Sequence, residues 1–183
     1  MARNRPASER VLTSPTLDPT CDVLSFDSFY LREMPSLVLL AHALAGPANA
    51  EDIAQDAMLT AYRHWNEVSD YASPVGWVRR VCANRSLSAL RRRGVEARAL
   101  FRVGAPAPQV DQPTAEVEEF WVEVRQLPRR QAQSIALYYL YDLPVTEIAE
   151  TLECSVGSVK VHLSRGRATL ARRFSEDDEG SAE

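Results

Sequence analysis

Little in this sequence is suited to catalysis, to holding a metal or to crossing a membrane. Its cysteines, Cys21, Cys82 and Cys154, lie far apart and form no CxxC pair. Neither a disulfide framework nor a thiolate metal site is therefore expected, and a reducing, cytoplasmic setting is the default. The 3 histidines are equally scattered, so no metal and no cofactor is expected. No apolar run approaches the ~20 residues that a bilayer span needs. Arg3, Arg5 and Arg10 have no apolar stretch behind them, unlike a secretory signal. A phosphate-cradling glycine loop and a GxSxG elbow are both missing, and neighbouring segments offer no Ser/His/Asp set, so no enzyme is expected. Glycine, at 7 residues, is scarce. Aliphatics, Ala, Glu and Arg abound, which favours helix over strand.

What is present is organised in blocks. The 183 residues, 45% hydrophobic, suffice for one ordinary domain or two small ones. Residues 1–22 are rich in Pro, Ser, Thr and Arg without periodicity, which predicts disorder. Residues 23–94 read as a helical module. Its first helix spans Leu24 to Leu44, with a bend expected near Pro35 and a break at Gly46-Pro47. Asn49 is placed to cap a second helix carrying Ile53, Ala57, Ala61 and Trp65. A polar loop from Glu67 to Ser73 precedes a helix from Pro74 to about Arg93, with Gly94 as its expected stop. Residues 95–113 have linker composition. Residues 114–174 form a second helical module: Thr114 to Gln126, Arg129 to Tyr141, a short helix after Pro144, a turn over Glu153 to Gly157, and a last helix to Phe174. An acidic tail, 175–183, follows; a solubilising disordered end is the expectation, and folding back over the preceding basic helix the alternative. The fold class predicted is all-α, two small helical domains joined by a flexible linker.

The formal net charge of −4 argues on average against nucleic-acid binding, but the charge is unevenly spread. From Arg79 to Arg102 there are eight arginines against one acid, Glu96, and no acid stands between Ser155 and Phe174. Local fields, not the average, steer binding. In the last module, Ile148, Ala149 and Leu152 on one helix and Val156, Val159, Leu163 and Leu170 on the next are placed to face inward across a tight, glycine-bearing turn. Lys160, Ser164, Arg165 and Arg167 project from the other side. That is the pattern of a helix-turn-helix whose second helix, capped by Ser155, enters a DNA groove. Arg and Lys donate to guanine edges, and Ser hydroxyls serve bases or phosphates. His162 is positioned to touch a phosphate.

Two further segments stand out. The arginine-rich helix lies close in sequence to Trp65, Tyr71 and Trp77, and a basic helix beside an aromatic-bearing loop suits single-stranded or melting DNA. Trp65 and Trp77 are read as core anchors and Tyr71, in the polar loop, as the stacking candidate. The segment AEDIAQDAMLTAYRHW, from Ala50, presents Glu51, Asp52, Gln55, Asp56 and Arg63 on one polar face, either solvated or meeting a protein partner.

In this order the pieces resemble a known family. AEDIAQDAMLTAYRHW followed by SPVGWVRRVCANRSLSALRRR is similar to conserved regions 2.2 to 2.4 of bacterial extracytoplasmic-function (group IV) sigma factors, and LPRRQAQSIALYYLYDLPVTEIAETLECSVGSVKVHLSRGRATL to their regions 4.1 and 4.2. The resemblance covers roughly residues 24 to 174. It implies a specificity subunit that binds core RNA polymerase, recognises and melts promoters, and has no enzymatic activity of its own. Glu51, Asp52, Gln55, Asp56 and Arg63 would then meet core polymerase at the clamp coiled coil of the β′ subunit, with the β flap as a second contact. Ser69, Asp70, Tyr71, Arg79, Arg80, Asn84, Arg85, Ser88 and Arg91 would serve the minus-10 element. The loop from Ser69 to Ser73 would hold a flipped base, at a cost of a few kcal/mol that stacking offsets. Ser155, Ser158, Lys160, Val161, Ser164, Arg165 and Arg167 would serve the minus-35 element. Many family members are also sequestered by an anti-sigma factor, a further partner the resemblance implies.

The sequence departs from the commonest family pattern at Val161-His162, where Ser-Arg is frequent, at Ser88, where Asp is frequent, and at Met58-Leu59. Val161 cannot hydrogen-bond a base edge but can touch a thymine methyl. The competing reading, a stand-alone regulator with a helix-turn-helix, leaves the Ala50–Arg93 module without a purpose. An enzyme with an accessory DNA-binding module would need a site that no motif supplies.

Overall fold

The computed structural model describes residues 25–99 and 114–180. The N-terminal stretch, Cys21 and residues 100–113 of the expected linker lie outside them. The described residues form helices only: α1 (Phe26–Ala45), a 3-10 turn (Pro47–Asn49), α2 (Ala50–Arg63), α3 (Trp65–Val68), α4 (Pro74–Ala99), α5 (Ala115–Arg125), α6 (Arg129–Tyr141), α7 (Val145–Leu152) and α8 (Val156–Gly180).

Helices α1, α2 and α4 make the first bundle. Ser25 starts α1 by accepting the Ser28 amide at 3.2 Å, with Asp27 in the first turn where the helix dipole favours a carboxylate. Pro35 sits inside α1 without ending it. Pro35 and Leu31, four residues before it, both lie on the exposed side, where water can serve the carbonyl that the missing N–H abandons. Leu37, Leu40, Ala41 and Leu44 of α1, Ala54, Ala57 and Met58 of α2, and Val78, Cys82 and Ala83 of α4 are sealed from solvent. The run of alanines lets the three axes approach closely. Burial pushes the Cys82 thiol up to about 12, so it packs as a small apolar group.

Helices α5 to α8 make the second bundle around Val124, Ile135, Leu137, Ile148, Leu152 and Val159. Gly166 is buried where α8 crosses α6. A Cβ there would stand 3.2 Å from Ile135 Cγ1 and 3.4 Å from its Cδ1. Arg173 ties α8 to α5, its Nη1 donating to Glu123 Oε2 at 2.7 Å.

The two bundles are not separate bodies. They share one continuous core, and α1 packs against α5 and α6 while α4 packs against α7. His42 Nε2 and Glu118 Oε2 lie 2.7 Å apart, Arg125 donates to Glu118 Oε1 at 2.5 Å and to the His42 carbonyl at 3.1 Å, and Tyr141 Oη donates to the Ser36 carbonyl at 2.7 Å. Burial works to raise the Glu118 pKa, but the hydrogen bonds from His42 and Arg125 outweigh it and hold the carboxyl below its usual range.

Several local expectations change. Helix α4 does not stop at Gly94 but runs on to Ala99; Glu96, Ala97, Arg98 and Ala99 are good helix formers, and one glycine costs only about 1 kcal/mol. Helix α8 passes Phe174 and reaches Gly180, so the acidic tail to that point is neither disordered nor folded back. Glu176 lies 3.9 Å from Arg172, one turn behind it. The loop from Glu67 contains the end of a helical turn, Trp65–Val68. Asn49 and Thr114 stand at helix starts without making a side-chain cap bond. Val156, expected inside, is 37% exposed. In the helix-turn-helix the left-handed conformation falls on Glu153 (φ 51°), while Gly157 lies within α8.

Candidate nucleic-acid interface

The helix-turn-helix is assembled from both ends. Helix α7 ends at Glu153, whose N–H returns to the Ala149 and Glu150 carbonyls, and the Cys154 N–H bonds Ala149 O at 3.0 Å. Arg130 of α6 closes the same end by donating to the Leu152 carbonyl at 3.1 Å, a cation at the negative end of α7. Ser155 then starts α8, its Oγ accepting the Ser158 amide at 3.1 Å. With Val159, Leu163, Gly166 and Leu170 buried, the opposite face of α8 carries Val161, Ser164 and Arg165, flanked by Lys160, all exposed. Among the described residues nothing covers this face.

Two members of the expected set stand differently. Arg167 is turned to α6, its guanidinium 4.6 Å from the Tyr138 ring centre and 5.6 Å from that of Tyr139. Ser158 is half-buried and bonds the Ser155 hydroxyl at 2.8 Å. His162, beside the recognition face, has its pKa lowered by burial and then by the cations Arg130 and Arg165.

The arginine-rich helix divides into two parts. Along its outer side, Asn84, Arg85, Ser88 and Arg91, the expected minus-10 residues from Asn84 onward, line an open groove of about 530 Å³ together with Arg92. Ser88 donates to the Asn84 carbonyl at 2.8 Å, and Arg85 reaches back to Asp56 at 3.2 Å and Thr60 at 2.9 Å. Towards its start, Arg79 and Arg80 are largely covered, with side chains 18% and 20% exposed. Arg79 stacks 4.1 Å over the Tyr141 ring and lies 3.7 Å from Glu33, while Arg80 pairs with Glu153. Ser69 and Asp70 follow α3, and Tyr71, 42% exposed, sits 6.3 Å from the Trp77 ring. Trp65 meets Phe26 and Phe29, with ring centres 5.3 and 4.9 Å away, which fits the anchoring role expected of it.

The acidic face of α2 gathers as its spacing foretold. Glu51, Asp52, Gln55, Asp56 and Arg63 are all exposed. Asp52, Gln55 and Asp56 join Phe26, Asp27 and Tyr30 of α1 and Met58, Leu59 and Tyr62 of α2 around an open groove of about 790 Å³. Glu51 and Arg63 stand outside it. The aromatic and aliphatic floor was missed in the sequence. The signal was the exposed pair Leu59 and Tyr62, three residues apart and thus neighbours on one face. Among the described residues no group of acids, histidines and cysteines could hold a metal, and no helix is long and apolar enough to cross a membrane.

Comparison with known proteins matches the chain in two segments. Residues 29–95 match the Sigma-70 region 2 family, and residues 118–170 match Sigma-70, region 4. The chain is 32% identical over 155 residues to the ECF RNA polymerase sigma factor SigM of Mycobacterium tuberculosis, covering 82% of this chain and 78% of that protein. It is 25% identical to the RNA polymerase sigma-E factor of Streptomyces avermitilis, over 86% of this chain and 89% of that one. In fold it is similar to the sigma factor RpoE in its complex with the anti-sigma factor NepR from Bartonella quintana (TM-score 0.65, 21% identity, 82% of this chain and 96% of that one). It is likewise similar to CnrH in complex with the cytosolic domain of CnrY (TM-score 0.63, 21% identity, 83% and 88%). The chain belongs to the extracytoplasmic-function sigma factors of RNA polymerase, the initiation factors that bind the core enzyme and direct promoter recognition and the start of transcription.

Proposed function

We propose that the two halves divide promoter recognition between them: residues 23–94, with α4 running on, as the core-binding and minus-10 domain, 95–113 as linker, and 114–174 as the minus-35 domain. The observation that carries this division is the uncovered face of α8, held out behind a Ser155-capped turn. Lys160, Ser164 and Arg165 offer donors for base edges and phosphates, and Val161, 45% exposed, offers a methyl surface for thymine. Arg167, occupied by Tyr138 and Tyr139, leaves that set and braces α8 against α6. The groove beside Asn84, Arg85, Ser88 and Arg91 takes the minus-10 strand, with Tyr71 as the stacking ring.

The α1–α2 groove takes the clamp coiled coil of the polymerase β′ subunit. An apolar floor of Phe26, Tyr30, Leu59 and Tyr62, rimmed by Asp27, Asp52 and Asp56, suits a helical partner with basic and aliphatic side chains. The β flap has a candidate seat where Tyr139, 51% exposed, meets Phe120, whose ring in turn stacks on Phe174. The protein acts without a catalytic site, in the cytoplasm where polymerase works.

The test is reconstituted transcription: purified protein and core polymerase on genomic DNA, with start sites mapped. Discrete start sites that vanish without the protein are expected. Strong DNA binding without core, and no open complex with it, would sink the reading in favour of a stand-alone regulator.

A further inference from the structure

Resting on the minus-35 reading of α8, a cluster beside its exposed face goes further. Lys160, Val161 and Ser164 stand together on that face, all exposed. Ser158, His162 and Arg165, spaced four and three residues apart, share a neighbouring flank of the helix. None of these three is apolar or acidic. Helix α6 brings one more cation to the flank. Where α6 crosses α8, a Cβ at Gly166 would stand 3.5 Å from Gln131 Cβ, and His162 lies one turn before Gly166. Arg130 precedes Gln131 and is exposed. Its charge reaches His162, whose pKa is lowered by burial first and then by Arg130 and Arg165.

Arg130 has donors to spare. Its Nη1 makes both of its hydrogen bonds, to the Leu152 carbonyl at 3.1 Å and to Gln133 Oε1 at 3.4 Å. Nε and Nη2 have no partner among the described residues. A guanidinium offers five N–H groups in a planar fork, so the brace on α7 uses only part of it. Nor does a carboxylate answer the charge. Among the described residues neither Arg130 nor Arg165 is in an ion pair, and Glu153, next to Leu152, is turned to Arg80. Like charges gathered without an acid repel one another, and an anion between them relieves the repulsion.

We propose that Arg130, His162 and Arg165 form a seat for one backbone phosphate of the upstream promoter element, so that α6 as well as α8 holds the DNA. Guanidinium and imidazole donors suit the oxygens of a phosphodiester, while Val161 and Ser164 on the adjoining face are left to the base edges. A phosphate contact sets the register of a protein on the duplex and carries no sequence information of its own. Arg130 grips the end of α7 with one nitrogen and the DNA with the others. It therefore fixes how the whole helix-turn-helix lies against the backbone.

The test uses the full-length protein reconstituted with core polymerase, on a promoter duplex cut from a mapped start site. Arg130→Gln keeps a donor and removes the charge; Arg130→Lys keeps the charge. The Gln variant is expected to bind the promoter roughly tenfold more weakly at low salt. Its slope of log K against log salt should fall by about 1, and the Lys variant should keep the wild-type slope. The loss should be the same on duplexes altered at one base pair of the upstream element. An unchanged slope in the Gln variant overturns the seat, and weaker binding at that unchanged slope leaves Arg130 as a brace for α7 alone. Should the Gln variant not fold, the wild-type protein decides, by modification with an arginine-specific dicarbonyl reagent and mass mapping of the modified residues. Duplex is expected to protect Arg130 and Arg165 together, with the exposed Arg32 of α1 as an unprotected reference. Protection of Arg165 while Arg130 stays reactive overturns the seat and leaves the minus-35 reading standing. Equal reactivity of both with and without duplex would refute that reading, and the seat with it.

Discussion

Ser155 holds two jobs that substitution can separate. Its Oγ accepts the Ser158 amide at 3.1 Å, satisfying one of the amides that a helix start leaves without a partner. It also stands at the end of α8 that the proposed minus-35 reading turns toward DNA. Ser155→Ala removes the acceptor and is expected to cost about 1 kcal/mol of folding stability. Ser155→Asp keeps an acceptor at the cap and adds a carboxylate at the positive end of the helix, a gain of about 0.3–1 kcal/mol, so its stability should equal or exceed that of the wild type. On DNA the order reverses. The aspartate faces phosphates and should weaken upstream-element binding by more than the alanine does. Loss of one phosphate contact lowers the slope of log K against log salt by about 1. Urea unfolding reads the first quantity, and salt titration of duplex binding reads the second. If aspartate destabilises the fold as much as alanine does, the cap argument is wrong. If both variants bind DNA like the wild type, Ser155 lies outside the interface.

Two more outcomes are expected. His162 has a lowered pKa in the free protein, from burial and then from Arg130 and Arg165, and DNA phosphates should raise it. Protonation then accompanies binding, so affinity should be highest below the histidine range and fall as pH rises through the bound-state pKa; a His162→Gln protein should lose this dependence, and a flat wild-type profile refutes the contact. Replacing Asp52 and Gln55 together by Ala should weaken core binding, and adding Leu59→Ser should weaken it further by exposing a polar group to the apolar floor; unchanged core affinity in pull-down titrations removes the α1–α2 groove from the polymerase interface.

The sequence exposed the parts of this fold that repeat locally. Ile148, Ala149, Leu152, Val159, Leu163 and Leu170 share one helical period, and all of them are buried. Arg129 to Tyr141 is helical over the expected span because Pro128 bounds one end and a left-handed Asp142 the other. What could not be read was what distant residues do to one another. Nothing in the pattern around Asn84 announces Gln133, 49 residues away. Gln133 is fully buried, yet its type suggests a surface position. Val156 was misplaced for the opposite reason: its position fits the inward stripe, but it opens the helix, where no neighbouring turn covers it. The turn glycine misled in a similar way: Gly157 was counted in the turn but lies within α8, and the left-handed residue is Glu153.

Gly166 has a bearing on how such a protein can be altered. It lies behind the recognition face, where α8 meets Ile135 at a distance that leaves no room for a side chain without movement. The reading residues and the spacing that presents them are thus set on opposite sides of one helix by different positions. On the proposed minus-35 reading, substitutions at 161, 164 and 165, all exposed, would retarget the protein to new sequences without disturbing its core. A valine at 166 would keep every reading residue and still lift the helix, changing the depth of insertion for all sequences alike.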